Sequence, residues 1–349
     1  MDTLEQDICA GIDRFIKLQI PFAIYRIPGE NVVHFVSKDP GDSCVLLYDI
    51  EELNGQAGFV IAPFNVGPTT PIVLLRSESE MVVDFDPALK CPGGIQPDVY
   101  RQMLNNQVVS DRSSTEGYAG RFEVFMDALK KEEFNKLVLS RSQKVNVPLL
   151  FSPATAFYEA CRRYIYSYVY FCYTPHTGAW LGSTPEIILS GERNKWNTVA
   201  LAGTQSLQNG ELPREWDDKN REEQEYVASY IRSQLLSLGI QPAEFGPYPA
   251  FAGALSHLKT DFHFSLPDND SLGDLLKLLH PTPAVCGLPK EKAYQFILDH
   301  EDHERRYYSG FIGMLNPDGK TDLYVNLRCM NITSEALTLY AGGGLLASS

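Results

Sequence analysis

The stretch D-L-Y-V-N-L-R-C-M-N-I-T-S-E-A-L-T-L-Y-A, residues 322–341, reads as a pair of strands, Asp322–Met330 and Leu337–Ala341, with a short polar link between them. Working back from it, the same strand signature recurs in Lys136–Val147, Tyr166–Tyr173 and Ile187–Leu189. The first hundred residues carry five shorter runs punctuated by Gly and Pro: Phe22–Arg26, Val32–Val36, Ser43–Tyr48, Gly58–Ala62 and Ile72–Leu75. Helices are expected over 121–131, where Phe122, Phe125, Met126 and Leu129 fall at helical spacing, and over Lys219–Leu236 and Lys290–Arg306. Strands and helices do not alternate regularly. The pattern therefore predicts an α+β fold with antiparallel sheets and not a doubly wound parallel sheet. The polar stretch Asn105–Gly120 is the expected boundary between an N-terminal part, 1–115, and the remainder, 116–349.

The chain has 349 residues, 44% hydrophobic and 21% charged, within the range of globular proteins. Its formal net charge of -14 argues against a nucleic-acid or anionic-membrane partner. An anionic substrate would then need a locally positive site inside an acidic protein. No basic segment followed by an apolar run opens the chain, and no apolar run is long enough to span a bilayer, so a cytoplasmic location is expected. The cysteines (Cys9, Cys44, Cys91, Cys161, Cys172, Cys286 and Cys329) are scattered without a CxxC pair, which points to reduced thiols.

Several residues carry chemistry. Lys136 opens K-L-V-L-S (136–140), on one face with Val138 and Ser140. It is either an edge residue reaching solvent or a buried amine suited to general-base work. Glu186 closes G-S-T-P-E (182–186) just before the apolar Ile187–Leu189: a solvated strand end, or a general acid. Glu223 precedes Val227, Tyr230 and Ile231 by four, seven and eight residues, on the inward stripe of its helix, whereas Glu225 falls outside with Ser229 and Arg232. An inward carboxylate must be paired or hold a metal. H-P-T-P-A (280–284) is a rigid loop, since two prolines exclude helix and central strand. H-E-D-H (300–303) is expected on a polar helix face and not as a metal cluster. Gly342–Gly344 follow a strand, as a plain turn or as amides left free for an anion. Arg328 has the fork geometry for a carboxylate.

Taken in order, K-L-V-L-S-R (136–141), G-S-T-P-E (182–186), L-A-G-T (201–204), K-N-R-E-E-Q-E-Y-V (219–227), S-H-L-K-T (256–260), L-H-P-T-P-A-V-C-G-L-P-K (279–290), E-x-x-x-R-x-x-Y-x-G (301–310), L-R (327–328) and A-G-G-G (341–344) resemble the chorismate-utilising enzyme family. The resemblance runs from about Arg121 to the end of the chain. It implies a large two-layer antiparallel β-sandwich flanked by helices, with the N-terminal hundred residues part of the same sandwich. It also implies roles. Lys136 matches the lysine that activates water, Glu186 the acid that protonates the departing C4 hydroxyl, and Glu223 a magnesium ligand. Gly203, Thr204, His257, Tyr308, Arg328 and the amides of Gly342, Gly343 and Gly344 match positions around the substrate and its carboxylates. The implied cofactor is Mg2+ and the implied substrate chorismate.

Within the family, members that add ammonia lack a lysine at the Lys136 position, so the resemblance favours water as nucleophile and implies no glutaminase subunit. The H-P-T-P-A loop resembles isochorismate synthases, of the menaquinone or siderophore pathway. Salicylate synthase, which goes on to eliminate pyruvate, is the alternative, and a catalytically silent homologue is the non-enzymatic one. A monomer or weak dimer is expected. Two departures stand out. The His that usually follows the metal-binding Glu is Gln224, and the chain ends at Ser349, where family members continue into a helix bearing a second magnesium ligand. With Glu223 alone, weak magnesium binding is the expectation.

Overall fold

The computed structural model describes residues 11, 12, 14–39, 43–76, 80–85, 115–148, 151–252 and 255–349. Among the described residues six strands precede residue 86: β1 (Phe22–Arg26), β2 (Val32–Ser37), β3 (Val45–Leu47), β4 (Gly58–Ala62), β5 (Ile72–Leu75) and β6 (Glu80–Asp84). The middle of the chain adds α1 (Thr115–Lys130), β7 (Lys136–Asn146), α2 (Pro153–Arg163), β8 (Tyr168–Thr174), β9 (Gly178–Thr184), β10 (Ile187–Glu192), β11 (Lys195–Ser206) and α3 (Asp218–Ser237). The last third adds β12 (Ala243–Ala252), β13 (Leu255–Phe264), α4 (Leu272–Leu279), β14 (Gly287–Leu288) and α5 (Lys290–His300). It closes with β15 (Phe311–Leu315), β16 (Lys320–Val325), β17 (Cys329–Ile332) and β18 (Ala336–Leu345).

Among the described residues the strands form two nine-stranded sheets. Their orders are β14-β7-β18-β17-β9-β8-β1-β2-β6 and β12-β13-β11-β10-β16-β15-β4-β5-β3. The recorded pairings along both are antiparallel, as between β1 and β8 or β15 and β4. Strands from the first 85 residues thus pair in both sheets. The fold is α+β.

Side-chain alternation explains the layering. In β8, Tyr168, Tyr170 and Cys172 join an aromatic core with Tyr25, Trp180, Tyr307, Tyr308, Tyr324 and Tyr340, which strands of both sheets share. Val169, Phe171 and Tyr173 point the other way, into a core covered by α2. A strand buried on both faces reads as a continuous apolar run, as this one does. On the outer face of the second sheet, Val227, Ala228, Ile231 and Leu235 of α3 pack on Ala200, Ala202 and Phe262. The start of α3 is fixed by Asp217, whose carboxylate accepts from the Asn220 amide at 2.8 Å.

The structure differs from the sequence reading in four places. Asp322–Met330 is not one strand: β16 lies in the second sheet and β17 in the first, and the chain crosses between them at 326–328. Arg328 takes a positive φ of 48°, and Asn326 serves the crossing with its side chain, accepting from Tyr170 Oη at 2.5 Å and donating to the Tyr307 carbonyl at 2.8 Å. The helix from Lys290 stops at His300 and not at Arg306: Glu301 is extended and its side chain turns inward to pair with Arg305. The glycines 342–344 form no turn but continue β18. Finally, the expected linker ends as helix, since α1 begins at Thr115; its 105–114 part lies outside the described residues. Cys9 and Cys91 also lie outside them, and Cys44, Cys161, Cys172, Cys286 and Cys329 are buried free thiols.

Candidate active site

Lys136 is fully buried. The edge reading fails because β14 and β18 flank β7 on its two sides. Its Nζ lies 3.0 Å from Glu223 Oε1, so the amine from the first sheet and the carboxylate from the helix behind the second form an ion pair across the molecule. Burial would raise the Glu223 carboxyl, but the Lys136 charge and hydrogen bond outweigh it and hold the group below the usual carboxylate value, helped by Lys219 and His257. Glu225 is outside, bonded to Ser229 and Arg232.

Glu186 is also buried, at the start of β10. Burial pushes its carboxyl up to about 7, against the lowering pull of Lys136, a Thr282 hydroxyl bond and Arg328. That bond, Thr282 Oγ1 to Glu186 Oε1 at 3.3 Å, is what the rigid 280–284 loop contributes. Thr282 was not among the residues picked from the sequence; its place in the H-P-T-P-A loop was the available signal. In the same loop, His280 is buried and points back to the Phe64 carbonyl, and burial lowers it to about 3.

A bulge between Ala202 and Thr204 turns the β11 backbone at Gly203, whose φ is +69° and where a Cβ would meet the Asn220 carbonyl at 2.7 Å. The displaced Gly203 carbonyl lies 3.0 Å from His257 Nδ1, with Thr204 Oγ1 at the same distance. His257 Nε2 lies 3.2 Å from Arg328 Nη2, and because a guanidinium only donates, the proton of a neutral imidazole must sit on Nδ1. Burial, with the Arg328 charge beside it, lowers His257 to about 4, so it is neutral at pH 7. Arg328 also donates through Nη1 to the Ala252 carbonyl at 2.5 Å. These contacts fix the plane of its fork.

The glycines of β18 divide by register. The Val138 amide donates to Cys286 and the Ser140 amide to Glu301, both away from β18. Their partners Gly344 and Gly342 therefore also direct their amides away from β7, on the side where β17 pairs no further than Leu339. A Cβ at Gly344 would collide with Glu223 Oε1 and approach Lys136 Cε, and one at Gly342 would meet Tyr308 Oη at 2.6 Å. Gly343 differs: its amide is spent in the ladder with Leu139, and a Cβ there meets nothing within 4 Å. Of the three, only Gly342 and Gly344 direct free amides toward the site, and both are packed so closely there that no side chain fits. Tyr308 itself is buried and stacks on Tyr340, with ring centroids 5.3 Å apart.

Gln224 takes a packing role. Buried on α3, it accepts from the Ala202 amide at 2.9 Å and donates to the Ala200 carbonyl and Thr260 Oγ1, each at 3.1 Å. Within His300–His303, Glu301 pairs with Arg305, Asp302 with Arg121, and His303 Nε2 meets Ser140 Oγ at 3.0 Å. Among the described residues no group of three or more His, Cys, Asp or Glu converges on one point. A separate cavity of about 380 Å³, lined by Tyr25, His34, Glu80, Lys320 and Asp322 among others, contains none of the residues picked from the sequence.

A buried lysine, a carboxyl poised near neutrality, a second carboxylate, a neutral histidine and a guanidinium thus meet where the first sheet faces the second. Over residues 96–349 the sequence matches the family of chorismate-binding enzymes. The chain belongs to that family. Similar to this family member is the isochorismate synthase EntC of Escherichia coli (strain K12), 29% identical over 180 residues that make up 49% of this chain and 46% of the relative. The chain thus matches under half the length of that relative. The vibriobactin-specific isochorismate synthase of Vibrio cholerae is 22% identical over 97% of this chain and 82% of its own. The solved structure of MenF, the menaquinone-specific isochorismate synthase of Escherichia coli, has the same fold. Its TM-score is 0.75 at 20% identity, over 97% of this chain and 86% of that one. Among the described residues of this chorismate-binding enzyme no helix is long and apolar enough to cross a membrane.

Proposed function

We propose that the chain converts chorismate to isochorismate. The observation that carries this reading is the pairing of Lys136 and Glu186, an amine and a carboxyl buried within electrostatic reach of one another, the carboxyl raised to about 7. Deprotonated to the neutral amine for this step, Lys136 takes a proton from water as the water oxygen bonds to C2 of the ring. The ring double bond shifts, the C4–O bond breaks, and Glu186 delivers the proton with which that hydroxyl leaves as water. One water enters and one departs, as an isomerisation requires. Arg328 and the amides of Gly342 and Gly344 supply positive charge for the substrate carboxylates, which reconciles an anionic substrate with a chain of net charge -14.

Magnesium belongs to this proposal. Glu223 fits as one ligand by its donor chemistry, a carboxylate 13% exposed whose Oε1 lies against Gly344 and 3.0 Å from Lys136 Nζ; magnesium takes one or two carboxylates with waters and substrate oxygens. When bound, the ion supplies charge that holds and orients the ring carboxylate. Chromatography of the product formed from chorismate and magnesium tests the reading, with isochorismate the expected product in the absence of ammonia or a glutaminase. Anthranilate from ammonium buffer would overturn it. Salicylate with pyruvate would favour the synthase that eliminates pyruvate, and no turnover the silent homologue.

A further inference from the structure

Arg305 and Glu301 form a deeply buried ion pair, their side chains only 2% and 3% exposed. Arg305 Nε donates to Glu301 Oε2 at 2.7 Å and Nη2 to Oε1 at 2.6 Å. The rest of the fork reaches outward, Nη1 to the Val285 carbonyl at 2.7 Å and Nη2 to the Val138 carbonyl at 2.8 Å. Glu301 in turn accepts from Ser140, from its amide at 2.7 Å and its hydroxyl at 3.0 Å. The Phe64 ring covers the guanidinium, 4.3 Å from its centroid.

Two of these anchors lie next to the chemistry. Val138 and Ser140 follow Lys136 on β7, and Val285 ends the loop whose Thr282 bonds Glu186. The two segments also touch directly, through the Val138 amide on the Cys286 carbonyl at 2.8 Å. Burying an ion pair is costly and adds little net stability compared with an apolar contact of the same size. A planar fork does what an apolar contact cannot: it fixes three acceptors in one plane.

We propose that Arg305, oriented by Glu301, is a positioning residue that locks the strand carrying Lys136 to the loop carrying Thr282, and so sets base against acid. This inference rests on the isochorismate reading. Arg305 touches no reacting atom; it acts through Val138 and Val285. A misplacement of about 1 Å costs on the order of 10²-fold in rate.

The test is the full chain carrying Arg305→Lys, which keeps the charge and loses the fork. Steady-state kinetics with chorismate should show kcat reduced about 10²-fold and KM changed less than about threefold. Amide hydrogen exchange should quicken together in 136–140 and 285–288, at a temperature where circular dichroism shows the variant folded. Where Arg305→Lys does not fold, Glu301→Gln replaces it with the same expectations. An unchanged kcat alongside a lowered Tm would reduce the pair to a structural element and overturn the proposal, as would a raised KM with kcat intact. A wild-type chain without turnover refutes the functional reading instead. Exchange then decides the brace, and unchanged protection in both segments overturns it.

Discussion

The Glu186 carboxyl gives the sharpest prediction at the scale of single residues. Folding raises it from 4.5 to about 7, so the fold favours its protonated form. The stability this contributes is fully present below pH 4.5 and is lost as pH rises through about 7. A shift of that size is worth on the order of 3 kcal/mol. Glu186→Gln should therefore match the wild type in urea denaturation near pH 4 and exceed it by up to that amount at pH 8. A gap independent of pH would show that the carboxyl is not held neutral. In catalysis the same proton is the one delivered: wild-type kcat/KM should fall above about pH 7, and Glu186→Gln should lose at least roughly 10² in kcat. Lys136→Ala should lose as much, and here the burial matters. Lys136 is among the largest fully buried side chains, so its removal leaves a void and an unpaired Glu223. A loss of about 3–5 kcal/mol is expected. Full activity or full stability in that variant would contradict the placement.

At the scale of elements, β18 permits a paired test. Alanine in place of glycine normally steadies a strand by about 0.5–1 kcal/mol. At Gly344 the added methyl strikes Glu223 Oε1 and crowds Lys136 Cε, whereas at Gly343 it meets open space. Gly344→Ala should abolish most turnover while keeping the folded far-ultraviolet spectrum, and Gly343→Ala should remain close to wild type in activity. Equal loss in the two would mean that the register of β18 on β7 does not set the opening of the site. The sequence showed three adjacent glycines after a strand and could not divide them. Their difference follows from hydrogen bonds that Val138 and Ser140 make away from β18, to the Cys286 carbonyl and the Glu301 carboxylate.

For the whole molecule the aromatic layer shared by the two sheets is the element to probe. Trp180 is buried there, edge-on to Tyr307 and stacked with Tyr340, and its Nε1 donates to the Thr177 carbonyl at 3.0 Å. Trp180→Ala should cost about 3–5 kcal/mol, read as a lower denaturation midpoint at unchanged m-value. A variant of wild-type stability would mean that the sheets do not depend on this layer to stay together. The same layer carries Tyr308, which reaches Gly342, so the loss should be accompanied by weaker substrate binding.

What the sequence determined by itself is whatever repeats within one element. Period-two runs identified Phe22–Arg26, Lys136 onward and Leu337 onward as strands, and period 3.6 placed Glu223 inward and Glu225 outward before any contact was known. The order of the short motifs along the chain was legible too, and with it the family. Only the tertiary structure decided that Lys136 is central and not at an edge, that 322–330 crosses between sheets, and that Thr282 bonds Glu186. It also decided that Glu301 and Arg305 face inward as a brace instead of outward on a helix. Each of these depends on which distant strand lies alongside and in what register. Local periodicity holds no record of that, because an edge strand and a central strand alternate in the same way until a neighbour covers them.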